Sequence, residues 1–177
     1  MSEERQSVNM DEFAEKFANV YFIKLLFKED IKIPHETLYT KLEEAFGEVD
    51  KVATGELSSY ALCKHVVTYQ GGEVPCQVMI TNTIPFDQTT IPEMAMYQCW
   101  TCDDAKALLQ SCSYEVMVGD FMAGGLEIEE RCQMIAKYVD ILLEVFPECI
   151  ALYWPHSQKF MPVQAFFPQI GVFLTKI

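Results

Sequence analysis

Apolar residues near the start of the chain predict a strand followed by a helix. Residues 20–27, VYFIKLLF, are almost continuously apolar, as is typical of a strand buried on both faces. A helix should follow from Pro34 to Phe46 and end at Gly47, where a left-handed cap residue fits. Its apolar stripe consists of Leu38, Leu42 and Phe46. Residues 10–17 predict a further short helix before this pair.

The next part of the chain has the alternating pattern of strands. We expect a short strand over 49–54 and a β-hairpin formed by residues 59–69 and 74–83. Glycines in the turn at 70–73 can adopt positive φ without steric cost. Alternation along the first hairpin strand places Ala61, Cys63, His65, Val67 and Tyr69 on one face. Residues 84–95 contain prolines and small polar residues, and we expect a loop there.

The second half of the chain predicts a helix over 103–112, with Ala105, Leu108 and Leu109 inward, and a strand over 114–121. After the breaker at 123–125, the strongest periodic signal of the sequence predicts a helix of about five turns from Leu126 to Phe146. Its apolar stripe consists of Ile128, Cys132, Ile135, Val139, Leu142 and Phe146. Buried strands should follow at 149–154 and 171–177.

These elements define the expected fold class, which is α+β. We expect a mixed, largely antiparallel sheet with helices packed on it. Tyr114 to Trp154 form a strand–helix–strand unit, which predicts a parallel βαβ unit with a right-handed crossover. Residues 1–177 should form a single domain, with residues 1–10 disordered. The chain stops within an apolar run, as if it were truncated after about residue 170 or ended as an edge strand.

Charge narrows the set of partners. The formal net charge is −13, from 26 acidic and 13 basic residues, which disfavours nucleic acids and anionic membranes and is compatible with a basic protein partner. Neither a transmembrane run of about 18 apolar residues nor an apolar signal-peptide core is present. The seven cysteines are an odd number and lie mostly in apolar stretches, which is typical of reduced thiols. We therefore expect a cytoplasmic protein.

One short motif suggests redox or metal chemistry. Cys99 and Cys102 form a C-x-x-C motif before a predicted helix, where a helix dipole could stabilise a thiolate. Asp103 and Asp104 oppose that thiolate, however, and zinc would need two further ligands such as Cys112 and His65. We expect both thiols to be reduced, mostly buried and without a metal, and we expect no cofactor.

The best candidate ligand-binding residues follow the strand at 149–154. Ligands gather at strand ends in α/β sheets, which favours Trp154, His156, Ser157 and Lys159, with Trp100 as a further candidate. The alternative is a strand-to-loop exit whose polar side chains are only solvated. His65 has the position of a structural histidine in a strand. No hydrolase, phosphate-loop or metalloprotease motif is present, so no catalytic residue can be assigned.

Several short motifs resemble a bacterial family catalogued as domain of unknown function 4261. They are Ser59, Tyr60 and Ala61 with Lys64 and His65, then Gln98, Cys99 and Trp100, then Asp120 to Leu126, Glu130 with Arg131, and Phe146 to Lys159. The resemblance spans most of residues 18–166 and implies an α+β fold without an established activity. The family pattern retains the tryptophan after the glutamine, whereas the first cysteine of the pair need not recur. Family members continue beyond the equivalent of residue 170, where this chain departs from the pattern.

Two hypotheses about function follow. The first is a non-enzymatic binding or interaction protein of the bacterial cytoplasm that uses an acidic surface, for example an inhibitor of a basic nuclease-like toxin. The second is an enzyme or small-ligand-binding domain with a pocket near Trp100, Trp154 and His156. A pocket lined by both tryptophans would favour the second hypothesis, and a flat acidic or apolar face would favour the first. The apolar segment at 166–174 also predicts a homodimer if it forms a sheet edge.

Overall fold

An eight-stranded antiparallel sheet with four α-helices forms the fold in the computed structural model, which describes residues 19–100 and 102–166. The elements in chain order are β1 (Phe22–Phe27), α1 (His35–Phe46), β2 (Val49–Ala53), β3 (Leu57–Tyr69), β4 (Gly72–Thr81), β5 (Ile84–Pro85), α2 (Glu93–Tyr97), α3 (Ala105–Gln110), β6 (Tyr114–Phe121), α4 (Ile128–Val145), β7 (Ala151–Trp154) and β8 (Lys159–Pro162). Short 3-10 turns occupy Gln88–Thr90, Ala123–Gly125 and Val163–Ala165. The expected α+β class is confirmed.

The sheet order is β2-β3-β4-β6-β1-β7-β8, with β5 paired to β6. Every strand pair among the described residues is antiparallel, whereas we expected a mixed, largely antiparallel sheet. The predicted βαβ unit is present in a split form. β6 and β7 run in the same direction, but β1 lies between them and pairs antiparallel with both. β1, which precedes both strands in the sequence, therefore occupies the position between β6 and β7.

The two faces of the sheet carry separate hydrophobic cores. The main core lies under α1 and α4, and the minor core lies under α2 and α3. Alternation along β1 serves both cores, because Leu25 belongs to the main core and Leu26 to the minor core. This explains why residues 20–27 are almost continuously apolar: a strand covered on both faces needs apolar side chains at every position.

Local sequence signals predicted several elements correctly. The α1 stripe of Leu38, Leu42 and Phe46 is buried, and Gly47 follows the helix with φ of 84°. The hairpin turn consists of Gln70 and Gly71, which both have positive φ, so β3 and β4 pair directly on either side of it. In α3, the predicted inward residues Ala105, Leu108 and Leu109 pack against the minor core.

β3 does not keep one face throughout, and the predicted single face was wrong. Its pairing with β4 shifts between Leu62 and Val66, which inserts extra residues into β3 and reverses its alternation. Tyr60 and Leu62 contribute to the main core before the shift, whereas Val67 does so after it. The irregularity also directs His65 towards the helices, where its ring packs edge-on against Phe46 and its Nδ1 lies 3.2 Å from Glu130.

The apolar stripe predicted for α4 was only half correct. Val139, Leu142 and Phe146 are buried, but Ile135 is half-buried, Cys132 is exposed and Ile128 is 80% exposed. In the first half of the helix, the sheet-facing side contains Arg131 and Met134 instead. A stripe drawn from apolar residues alone could not include an arginine whose partner is a buried carboxylate.

Some other expectations were incomplete or cannot be compared with the structure. The predicted loop at 84–95 contains β5, a 3-10 turn and the start of α2, and the short strand β8 was not predicted. The expected disorder at 1–10, the helix at 10–17 and the strand at 171–177 lie outside the described residues.

We predict that Leu142→Ala lowers the free energy of unfolding by about 2–5 kcal/mol, because it empties a fully buried position of the main core. The matched control is Ile128→Ala on the same helix, which should change stability by less than about 0.5 kcal/mol because Ile128 is exposed. Urea unfolding of both variants measures this difference. Equal losses would contradict the rotation of α4 described above.

Candidate functional site

The two tryptophans occupy different environments. Trp100 follows α2 and is 90% exposed, and its indole Nε1 donates a hydrogen bond to the Tyr97 carbonyl at 3.0 Å. Trp154 at the end of β7 is half-buried and stacks on Phe166, with ring centroids 5.8 Å apart. Trp154 packs against the main core, whereas Cys99 beside Trp100 belongs to the minor core.

The five predicted site residues therefore do not surround one pocket. Trp100 belongs to the segment that covers the minor-core face, whereas Trp154 faces the main core. His156 and Ser157 are exposed in the turn between β7 and β8, and Lys159 begins β8 as a half-buried residue. The strand end brings these three residues together with Trp154 but not with Trp100.

A residue that the sequence did not single out, Tyr21, organises this strand end. Its ring stacks on His156, with centroids 5.3 Å apart and an angle of 12° between the planes. Burial raises the pKa of Tyr21, while a hydrogen bond with Ser157 acts in the opposite direction. Tyr21 could not be predicted as a neighbour because β1 is inserted beside β7 only in the folded sheet.

Beside Tyr21 lies a buried ion pair between β6 and α4. Asp120 is 1% exposed, and its Oδ2 accepts a hydrogen bond from Arg131 Nε at 2.6 Å. Its Oδ1 accepts two more, from Arg131 Nη2 at 2.9 Å and from the Tyr21 backbone N–H at 2.8 Å. Arg131 Nη2 also donates to the Asn19 carbonyl at 2.6 Å. Hydrogen bonding to Asp120 raises the pKa of Arg131, which therefore stays charged.

This ion pair is a structural clamp. A general base needs a lone pair directed at a substrate, but both Asp120 oxygens already accept hydrogen bonds from the protein. An anion site would need a guanidinium that is open to solvent, but the Arg131 side chain is only 16% exposed and holds Asp120 and Asn19. The arrangement holds the start of β1, the end of β6 and α4 together.

Among the described residues, the cysteines form neither a disulfide bond nor a group that could hold a metal ion. Cys99 is buried and Cys102 is half-buried, and neither is in a disulfide bond. Burial raises the pKa values of Cys76, Cys112 and Cys149 to about 12, so these thiols are protonated near neutral pH. Among residues 19–100 and 102–166, no group of three or more His, Cys, Asp or Glu side chains is arranged to hold a metal ion.

A cleft of about 510 Å³ opens between the loop at 27–32 and the end of α4. Its volume is in the range of ligand pockets. Phe27 and Phe146 are buried in its wall, but Lys28, Glu29, Asp30, Lys32 and Glu148 are exposed charges of both signs. Without a convergent set of buried polar groups, this cleft has no evident chemistry.

An exposed apolar surface lies on α2 and the turn after it. It consists of Met94, Tyr97 and Trp100, which are 56%, 64% and 90% exposed, and we call it the Trp100 surface. The spacing of three residues places Met94 and Tyr97 on one side of the helix, and the hydrogen bond to Tyr97 holds the indole beside them. Large exposed apolar side chains that cluster in this way are typical of interaction sites.

Acidic residues lie close to the Trp100 surface in the chain. Glu93 accepts a hydrogen bond from the Tyr97 hydroxyl at 3.1 Å, and Asp104 caps α3 by accepting one from the Ala107 N–H. Asp103 is exposed between them, and Lys106 is the nearest basic residue after it. The Trp100 surface therefore has acidic residues on both sides of it along the chain.

Comparisons with protein-family models, curated proteins and solved structures found no match to this chain. The resemblance noted in the sequence therefore stays an expectation. In the described part of the structure, no helix is long and apolar enough to cross a membrane.

We predict that Asp120→Ala lowers the free energy of unfolding by about 3–5 kcal/mol, because it leaves the Arg131 guanidinium without its carboxylate. The control is Glu36→Ala, which breaks the exposed pair with Lys51 and should cost at most about 1 kcal/mol. Denaturant unfolding at neutral pH measures both. A small loss in Asp120→Ala would mean that the pair does not hold the strands together.

Native thiol labelling at pH 8 should distinguish exposed from buried cysteines. Cys132 is exposed and should react with iodoacetamide within minutes, whereas Cys76, Cys112 and Cys149 should react only after unfolding. Mass spectrometry of tryptic peptides assigns each modified residue. Rapid labelling of Cys112 without denaturant would show that the minor core opens readily.

Proposed function

We propose that this protein is a non-enzymatic binding protein of the bacterial cytoplasm that holds a basic protein partner on the Trp100 surface. The observation that carries the proposal is the exposure of Trp100, an indole 90% open to solvent although the folded chain holds its N–H. Exposing a tryptophan forgoes the free energy of burial, about 1.5–3 kcal/mol for a large apolar side chain. That free energy becomes available to the complex when a partner covers the ring.

The chemistry of the surface favours a protein partner. Tryptophan and tyrosine are among the residues that contribute most to protein–protein binding free energy, especially when they are near the centre of an interface. Met94 adds a flexible apolar side chain that adapts to a partner's shape. Small ligands instead favour concave sites that bury most of their surface, and an indole that projects into solvent offers no such enclosure.

Charge favours a basic partner. The chain has a net charge of −13, and Glu93, Asp103 and Asp104 lie near the surface. A field of this sign accelerates encounter with a positively charged protein and opposes binding to nucleic acids. An arginine or lysine of the partner could also lie over the Trp100 ring in a cation–π contact.

The polar clusters support a non-enzymatic role. Asp120 and Arg131 satisfy each other, and His156 and Ser157 lie in an exposed turn beside Tyr21. An enzyme or ligand-binding domain with a pocket near Trp100, Trp154 and His156 is the alternative. It has less support, because the two tryptophans belong to opposite faces of the sheet.

The test compares Trp100→Ala with the wild type in affinity capture from bacterial lysate, followed by titration with the purified partner. We expect Trp100→Ala to weaken binding at least tenfold, because truncation of an interface hot spot typically costs about 2 kcal/mol or more. The affinity should also fall with added salt, since the partner is basic.

Leu57→Ala is the matched control, because Leu57 is an exposed apolar residue on β3, away from the Trp100 surface. It should bind like the wild type. A partner retained equally by the wild type and both variants would contradict the proposal, and so would a partner that binds independently of salt.

A further inference from the structure

The chain between β5 and β6 is a long connection whose two ends lie side by side. We call its described residues, 86–100 and 102–113, the flap, and it contains α2 and α3. The Phe86 backbone N–H donates to the Ser113 carbonyl at 2.9 Å, and β5 pairs with β6 next to this contact. Segments whose ends lie together in this way form compact units on a protein surface.

Gln88 joins the two ends of the flap. Its Nε2 donates to the Gln110 carbonyl at 3.3 Å and to the Cys112 carbonyl at 3.1 Å. Gln88 and both of its partners belong to the flap, so these two hydrogen bonds form only while the flap is folded. The attachment to the sheet lies at the same place, where the Ser113 N–H donates to the Phe27 carbonyl of β1 at 2.8 Å.

The inner side of the flap covers the minor core. The buried residues that the flap contributes to this core are Phe86, Ile91, Ala95, Cys99 and Cys112. The main core is larger and lies on the opposite face of the sheet, under α1 and α4. Unfolding of the flap would therefore expose the minor core but leave the main core and the pairing of the central strands in place.

A charged pair lies on the sheet beside the start of the flap. Lys24 Nζ lies 2.9 Å from Glu115 Oε2 and 5.8 Å from the centre of the Phe86 ring. The two charged side chains are only 16% and 8% exposed, so they have lost most of their hydration. Unfolding of the flap would return water to both groups, which offsets part of the free-energy cost of exposing the minor core.

We infer that the flap opens by local unfolding while the sheet and the main core stay folded. Its helices α2 and α3 have five and six residues, too few to stay helical without tertiary packing, so opening also unfolds them. Because α2 carries Met94 and Tyr97, opening abolishes the Trp100 surface. A partner bound to that surface in turn holds the flap closed. Only this last step rests on the proposed function.

Hydrogen exchange measured by mass spectrometry on the full chain tests this inference without any partner. Peptides covering α2 and α3 should be at least about tenfold less protected from exchange than peptides covering β1 and β6. Low concentrations of urea should accelerate exchange in the two strands but hardly change it in α2 and α3, because local unfolding exposes little surface. Equal protection with equal dependence on urea in all four elements would show that the whole fold opens at once, and would overturn the inference.

Variants separate the flap from the main core in the same measurement. Gln88→Ala should accelerate exchange in α2 and α3 about tenfold, because it removes the two hydrogen bonds that join the ends of the flap. The matched control is Gln133→Ala, which removes a hydrogen bond of 3.3 Å to Glu129 within α4 and should leave exchange in the flap unchanged. Leu142→Ala, in the main core, should accelerate exchange in β6 but not in the flap.

Two results with these variants would overturn the inference. Equal acceleration of β6 and the flap by Leu142→Ala would mean that the flap unfolds only together with the main core. Unchanged exchange of α2 and α3 in Gln88→Ala would mean that the joined ends do not keep the flap closed.

Discussion

The buried carboxylate of Asp120 constrains much of this structure. An ionised carboxylate in a protein interior costs several kcal/mol unless a cation and hydrogen-bond donors satisfy it. Arg131 supplies the cation, and the Tyr21 N–H supplies a further donor. The guanidinium must therefore face the sheet, and this requirement sets the rotation of α4 about its axis. The exposure of Ile128 and the depth of Leu142 both follow from that rotation.

Sequence patterns predicted the elements whose causes are local. β6, α1 and the turn at Gln70 and Gly71 depend on periodicity, glycine and neighbouring residues, and the structure has them where the sequence indicated. The first half of α4 differs because its inward face depends on a charge in another element. The shift within β3 also escaped prediction, since it arises from the pairing of β3 with β4.

In the candidate site, too, the relations between neighbours in the chain could be predicted, and the relations between distant elements could not. Proximity along the chain correctly grouped Trp154 with His156 and Ser157, because a strand end and its turn stay together. Two other spatial relations could be recognised only once the order of the strands in the sheet was known. Successive side chains of a strand point to opposite faces, so Tyr153 faces the minor core and Trp154 faces the main core. Trp154 therefore lies on the face of the sheet opposite to the segment that contains Trp100. Tyr21 stacks on His156 only because β1 lies beside β7.

The central position of β1 also has a consequence for biosynthesis. β1 is synthesised before its neighbours, and its contact with β6 joins Lys24 to Glu115, 91 residues apart. β7 follows later still, so a strand that is apolar on both faces stays without these partners until both segments have been synthesised. Contacts of such long range slow folding and leave apolar segments open to aggregation.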